Sequence, residues 1–406
     1  MAKKAFTSEK DFSERQKKAL AILDAIRRGG PLAKTDVSKA TQINIVTVSS
    51  YVDHFIELGF VIEKGLGHST GGRIPTLVDL NRQSGFVIGI GWTLTDICGV
   101  VADLSGNTVF QQRIPKPSVI SEDIVAQMTD FADQLIKNGK FDPQKVRGIG
   151  IGIPGIIDDT GHRIRWPRPP VGSTDIFLNV SVRDSFEQRF GIPAMVINDA
   201  DAAVFGEKWF STEYDREYML YMYSGVSCGI IIDGKIYGGK DGCAGELGIY
   251  SSKEKIETLE QMKPALGRWD TDLSIVEMTR RAIQAGAKSA VSDRVGGDLD
   301  KIDFRVVLEA AEKGDIVALE QIRKGGEALG KKIAFLVNLL NPELIVIGGG
   351  IEVAKHLLLD TIRQTVKEWA LEEATQSLKI IPSRLGDSAI ATGAACLMIR
   401  HIFMEA

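Results

Sequence analysis

The sequence predicts an α/β protein made of a small helical head and a larger two-lobed body. Three observations carry this. Residues 1–82 hold three short helical stripes and then a glycine-centred hairpin, residues from about 85 onward alternate strands with helices, and the alternation starts afresh after residue 200. A chain of 406 residues is too long for one small core, so two or three domains are expected: a head over 1–82, a first lobe over 83–200, and a second lobe with the closing helices over 201–406.

Composition excludes several classes. With 44% hydrophobic and 25% charged residues, it is that of an ordinary globular chain. No apolar run approaches the roughly 18–20 residues needed to span a bilayer, so no membrane partner is expected. The opening "MAKKAFTSEKDFSERQKK" mixes both charge signs and has no apolar centre, unlike a secretory leader. Cys98, Cys228, Cys243 and Cys396 are scattered without a CxxC pair, and the expected compartment is the reducing cytoplasm. The net charge of −4 is unevenly spread: residues 1–82 hold 13 Lys and Arg against 9 Asp and Glu, which leaves about −8 for the remainder. A positive head points to a polyanionic partner.

Within the head, "FSERQKKALAILDAIRRG" places Leu20, Leu23 and Ile26 at helical spacing before Gly29-Gly30-Pro31 stops the helix. A short helix follows in "LAKTDVSKATQ", with Val37 and Ala40 inward, and then a turn at Gln42-Ile43. The third helix, in "NIVTVSSYVDHFIELGFV", takes Asn44 as its cap, carries a stripe of Val48, Tyr51, Val52, Phe55 and Ile56, and ends at Gly59. This is a helix-turn-helix arrangement. Asn44, Thr47, Ser49 and Ser50 are small polar residues at the start of the third helix, where a recognition helix meets base edges in the major groove; solvated helix surface is the plainer alternative. "FVIEKGLGHSTGGRIPTLVDLN" then reads as two strands around a glycine-rich loop, the wing of a winged helix, flanked by Lys64 and Arg73. Arg73 beside Gly71-Gly72 suits insertion into a narrow minor groove, or a phosphate contact, or a tight turn. In this order the features predict binding to double-stranded DNA.

The body opens with the strand pair of "GFVIGIGWTLTDICGVVADLSGNTV" and continues with a helix capped at Ser121 in "SEDIVAQMTDFADQLIKNG". "VRGIGIGIPGIIDDTG" gives a buried strand and a Gly/Pro loop, and "VINDADAAVFGE" a strand that runs into a helix. A second hairpin, "YMLYMYSGVSCGIIIDGKIYGG", and the strand "ELIVIGGGIE" repeat the pattern, so two lobes around a cleft are expected. At the strand end of "VINDADAAVFGE", Asp199 could take a proton from a bound hydroxyl or only hold a ligand.

The segments "STGGRIPTLVDLN", "GIGIPGIID", "VINDADAAVFGE", "GCAGELG", "LNPELIVIGGG" and "SAIATGAA", in this order over nearly the whole chain, resemble the ROK family of repressors and sugar kinases, in particular its winged-helix regulators. The resemblance implies an actin-like, ribonuclease-H-like double lobe that closes on a sugar. It makes Asp199, after Asn198, the position of the kinase base. It also implies two phosphate loops, and here the sequence departs from the family. Gly91-Trp92-Thr93-Leu94-Thr95-Asp96 stands where a D-x-G-G-T-K pattern supplies a magnesium-holding aspartate, and Gly91 offers no oxygen ligand. Tyr223-Ser224-Gly225-Val226-Ser227-Cys228-Gly229 stands for G-T-G-I-G-x-G. Ile249 replaces the family histidine, and "YSSKEKIETLEQMKPALGRWDTD" has no Cys or His where the family carries its zinc cluster. The family's sugar site carries over onto Gly152, Pro154, Gly155, Asn198, Asp199 and Glu246.

These departures predict a regulator and not an enzyme: a repressor of carbohydrate-related genes that binds a DNA operator as a homodimer or homotetramer, has a pocket that either takes a sugar effector or now stands empty, and uses no zinc, ATP or magnesium. The alternative is an ATP-dependent hexose kinase carrying a DNA-binding domain.

Overall fold

The computed structural model describes residues 12–66, 75–93, 96–115, 123–158, 164–165, 177–178, 181–211, 216–247 and 271–406. Helix α1 (Glu14–Gly29) starts at a reciprocal cap: the Gln16 N–H donates to Ser13 Oγ (3.2 Å), and the Ser13 N–H donates to Gln16 Oε1 (3.1 Å). Its inward stripe is Ala19, Ile22, Leu23 and Ile26, so Leu20, expected inside, is half-buried one step round the helix. Strand β1 (Leu32–Ala33) leads into α2 (Lys34–Thr41). Val37 is buried there, but Ala40, also expected inside, is exposed: the helix is too short to present a second layer, and a methyl group gains little from burial.

Helix α3 (Ile45–Glu57) is capped by Asn44, whose Oδ1 accepts from the Thr47 N–H at 2.9 Å. Val48, Val52 and Phe55 are fully buried, with Tyr51 and Ile56 half-buried at the edges of the stripe. The helix closes through Gly59 at φ 77°, which lets the Gly59 N–H reach Ile56 O (3.0 Å) and the Phe60 N–H reach Phe55 O (2.9 Å). Strands β2 (Val61–Leu66) and β3 (Thr76–Leu80) pair antiparallel, and β1 adds to the other edge of β3. The head is thus a helix-turn-helix with a wing sheet.

The chain forms two compact units, residues 1–213 with 388–406 and residues 214–387. In the first, β4 (Phe86–Trp92), β5 (Asp96–Asp103) and β6 (Thr108–Pro115) form an antiparallel meander. Helix α4 (Asp123–Asn138) follows; the cap expected at Ser121 lies outside the described residues. Strand β7 (Val146–Ile153) runs parallel to β4. A small ribbon of β8 (Ile156–Ile157), β9 (Ile164–Arg165) and β10 (Phe177–Leu178) leads to α5 (Val182–Phe190), β11 (Ala194–Asn198) and α6 (Asp199–Phe210), giving the order β11-β7-β4-β5-β6.

The second unit repeats the plan strand for strand. Strands β12 (Met219–Tyr223), β13 (Ser227–Ile232) and β14 (Lys235–Ile236) are antiparallel. Helices α7 (Thr271–Gln284), α8 (Ala290–Arg294), α9 (Phe304–Glu312) and α10 (Ile316–Leu340) precede β15 (Leu344–Gly348), and α11 (His356–Trp369) and α12 (Glu372–Thr375) precede β16 (Lys379–Pro382). Strands β15 and β16 run parallel to β12, in the order β14-β13-β12-β15-β16. One topology used twice is the duplicated, actin-like arrangement expected from the sequence.

Helix α13 (Ala389–Glu405), grouped by sequence with the second lobe, packs in the first unit, as does α6. The cause is a division of labour between the two faces of the first sheet. Ile88, Ile90, Ile149 and Ile151 face α4 and α5, packing against Phe131, Leu135 and Phe186. The alternating positions are Gly89 and Gly91 on β4 and Gly148, Gly150 and Gly152 on β7, and α13 lies directly on them. A Cβ at Gly89 would strike the Ala391 carbonyl, and one at Gly150 the Ala394 carbonyl. On the far side of α13, a Cβ at Gly393 would strike the Ala202 carbonyl of α6. Replacing Gly393 with Ala is therefore expected to lower the unfolding free energy by about 1–3 kcal/mol in chemical denaturation; an unchanged midpoint would contradict this packing.

Candidate functional site

In the head, Ser50 is exposed on the outer face of α3, Thr47 and Ser49 are half-buried beside it, and Asn44 is exposed but has its Oδ1 committed to the cap. The structure adds a residue that the search for polar side chains missed: Val46, 77% exposed, at the second position of the helix. Its signal in the sequence was a β-branched residue lying off the Val48–Val52–Phe55 stripe. An exposed valine at a helix start is the kind of apolar group that can meet a thymine methyl. Asp53, the carboxylate on the same outer face, is held by Lys34 at 2.5 Å, which lessens its repulsion of phosphates. Lys64 is exposed on β2, its Nζ 3.8 Å from Asp79 Oδ2 across the wing. Arg73 and the Gly71-Gly72 pair lie outside the described residues.

The first-unit residues onto which the sequence carries a sugar site gather where β7 and β11 end side by side, Asn198 opposite Ile153. Asn198 is a brace. Its Oδ1 accepts from the N–H groups of Ala200 (2.9 Å) and Asp201 (3.2 Å), and its Nδ2 donates to Gly155 O (3.1 Å), fixing the Pro154-Gly155 loop to the start of α6. Gly155 sits at φ 106°, a conformation that a side chain would strain. Asp199, 5% exposed, is the first residue of α6, and its Oδ1 accepts from the Ala200 N–H at 2.7 Å. The positive end of the helix favours its carboxylate there. Gly152 faces Ile390 of α13 and the Ala202 methyl of α6, where a Cβ has no room, so this glycine has a packing duty. Glu246 belongs to the second unit, half-buried beside β13: it bridges Ser227, the Cys228 N–H donates to Gly245 O (2.8 Å), and the Leu247 N–H donates to Val226 O (2.9 Å).

The two loops that stand for the family's phosphate hairpins are occupied by the protein's own contacts. A Cβ at Gly91 would lie 2.5 Å from the Ala391 nitrogen and 2.9 Å from Ile390 Cβ, so this backbone admits no larger residue. Thr93 Oγ1 donates to Asp96 Oδ1 (2.7 Å), and Arg113 stands 3.5 Å from Asp96 Oδ2, giving that carboxylate a structural task. In the second loop, Ser224 and Gly225 at φ 45° and 81° are the central pair of a tight turn within the three-residue connection between Tyr223 and Ser227. The Ser224 N–H donates to Gly348 O, the Val226 N–H to Tyr223 O, and Lys332 Nζ to Gly225 O. Thr271, opening α7, donates through its N–H (2.8 Å) and Oγ1 (3.0 Å) to Ser224 O.

Among the described residues no group of three or more His, Cys, Asp or Glu could hold a metal ion, and no helix is long and apolar enough to cross a membrane. Ile249 and most of the stretch where the family carries its zinc cysteines lie outside the described residues. Asn198→Ala removes a helix cap and the tie to Gly155 together, and is expected to cost about 1–2 kcal/mol in thermal or chemical unfolding, with loss of any ligand that depends on the Pro154-Gly155 loop; wild-type stability would contradict the bracing role.

Residues 87–401 match the ROK family. The chain is 29% identical over 388 residues to the xylose repressor of Caldicellulosiruptor bescii, covering 94% of each chain. It is 26% identical over 391 residues to the DNA-binding transcriptional dual regulator NagC of Escherichia coli K12, covering 95% of this chain and 93% of that one. Among solved structures, a ROK family transcriptional regulator described as a homolog of the E. coli MLC protein superposes with a TM-score of 0.76 at 24% identity, over 96% of this chain and 97% of that chain, and shares the fold.

Proposed function

The chain belongs to the ROK family, and from that premise we propose that it is a transcriptional repressor of carbohydrate-related genes, with a winged head that grips a double-stranded operator and a body that senses a sugar. The observation that carries this is the exposed first turns of α3, with Val46 and Ser50 outward, in a head joined to a ROK body. Relatives that match over the same full length, head included, are repressors and regulators by name. Val46→Ala is expected to weaken binding to an operator fragment about three- to tenfold, and only where a thymine lies at the contacted step. Gel-shift titrations on fragments differing at single positions test this, and equal losses on all sequences would contradict a reading role.

The body acts as a binder and not as a catalyst, without zinc, ATP or magnesium. The packing that requires glycine at position 91, the Thr93–Asp96–Arg113 contact and the self-bonded Ser224-Gly225 turn support this. Asp199, buried and fixed by the helix start, accepts a hydrogen bond from a sugar hydroxyl, and Gly155 shapes the adjoining loop. A coupled assay for ADP release across a panel of hexoses is expected to stay at background, while sugar binding followed by thermal shift falls in Asp199→Asn. ADP release abolished by Asp199→Asn would establish the kinase instead.

Self-association is supported by an apolar patch on the second unit. Phe335 and Leu339, one helical turn apart on α10, are exposed, as are Trp369 and Leu371, and the Leu371 N–H donates to Asn338 Oδ1 (2.8 Å), which holds the patch together. Phe335→Lys is expected to shift sedimentation toward the monomer; an unchanged profile would move the interface elsewhere.

A further inference from the structure

A cleft of about 160 Å³ opens inside the first unit where the head meets the body, lined by Arg27 and Arg28 of α1, Arg82, the β5–β6 turn, and the C-terminal end of α6 from Trp209 to Ser211. It is separate from the end of β11 and the start of α6, where the sugar-site residues gather. We propose that it is a second effector site, for a small phosphate-bearing metabolite, and that its occupant bridges head and body. The proposal goes beyond the sugar-sensing function and relies on it only for the idea that ligands alter DNA affinity.

Charge is the first observation. Arg27 and Arg28 share one carboxylate: Asp24 Oδ1 lies 2.7 Å from Arg27 and its Oδ2 2.7 Å from Arg28. Arg82 is exposed and makes no ion pair with the described residues. Asp103, at the base of the β5–β6 turn, is turned to its own loop, accepting from the Ser105 and Asn107 N–H groups (2.9 and 3.0 Å) and from Ser105 Oγ (2.6 Å). Three guanidinium groups line a concave, part-shielded place, where an oxyanion gains the strongest hydrogen bonds.

The second observation is independent of charge. Ser211 lines the same cleft, is 6% exposed, and its Oγ has no hydrogen-bond partner. A buried hydroxyl left unmade costs roughly 1–3 kcal/mol, and native structures rarely retain one without a use. A phosphate oxygen supplies the missing acceptor. Trp209 forms the floor: its indole N–H is taken by Ser105 O (2.9 Å), and its ring is covered by the Arg27 guanidinium at 3.9 Å, so the platform is rigid before any ligand arrives.

An anion here touches α1 of the head on one side and α6 of the body on the other. It therefore favours whichever head orientation brings Arg27, Arg28 and Ser211 together, and its effect on DNA follows from that preference.

The test uses the full chain without DNA or sugar. Inorganic phosphate is titrated against tryptophan fluorescence and thermal shift, with chloride at matched ionic strength as the reference. Saturable binding is expected, weakened roughly tenfold in Arg82→Ala and in Ser211→Ala, in line with the loss of one hydrogen bond to a charged group. Because Ser211 Oγ is unpartnered, Ser211→Ala is expected to keep or raise the melting temperature without phosphate, so a loss of binding there is not a loss of fold. No response beyond the chloride reference, or a response equal in wild type and both variants, overturns the site. So does an Arg82→Ala protein that binds phosphate normally but has lost DNA affinity, which would give the arginine to the operator backbone. Each of these failures leaves DNA binding and the sugar-sensing function standing.

Discussion

Backbone contact between α13 and the glycine face of the first sheet sets the terms for the rest of this molecule. Five glycines on β4 and β7 strip that face of side chains, and α13 fills the space with Ile390, Ala391, Ala394 and Met398. The helix comes so close that residue choice at positions 89, 91, 150 and 152 is no longer free. One consequence is chemical. The position that aligns with the family's metal-holding aspartate is here committed to packing, and an acidic side chain there would meet both a steric clash and burial. The identity of residue 91 and the seat of α13 are one fact seen from two directions.

A second consequence is mechanical. Helix α6 lies against α13 through Gly393 and Ala202, begins at the Asn198–Asp199 brace, and carries in its last turn Trp209, on which Arg27 of the head is stacked. Helix α13 itself ends against the head, where Phe403 meets the Phe60 ring edge-on at 6.0 Å and the Ala406 carbonyl lies 3.1 Å from His54 Nε2. Two packed helices thus run from the candidate sugar residues to the head without an intervening loop. Tightly packed elements move as units, so a ligand preferring one placement of α6 biases the head by its difference in affinity between two arrangements.

Much of this was legible in the sequence where the physics is local. The cap at Asn44, the stop at Gly59, the Val48–Val52–Phe55 stripe and the two hairpin openings all depend on residues within one or two turns of each other. What was not legible depends on partners far along the chain. Gly152 reads as part of a binding loop until Ile390 is seen lying on it, and α13 reads as a tail of the second lobe because nothing in "SAIATGAA" names the sheet it will cover. Val46 carries no donor or acceptor to mark it at the start of α3, though an apolar residue off the buried stripe is equally informative. Ala40 was expected inside from its spacing alone, yet a single methyl gives a short helix little reason to turn inward.

Position 91 is given over to packing, and the loss of the metal anchor follows from that commitment. Gly91→Asp in the full chain, followed by chemical denaturation and by calorimetric titration with magnesium and ATP, measures this directly. The account predicts a protein destabilised by several kcal/mol, on the order expected for an overpacked site that also buries a carboxylate, with no heat of nucleotide binding. A variant as stable as wild type that binds magnesium–ATP would show that α13 yields to an acid at this position and that the catalytic site persists.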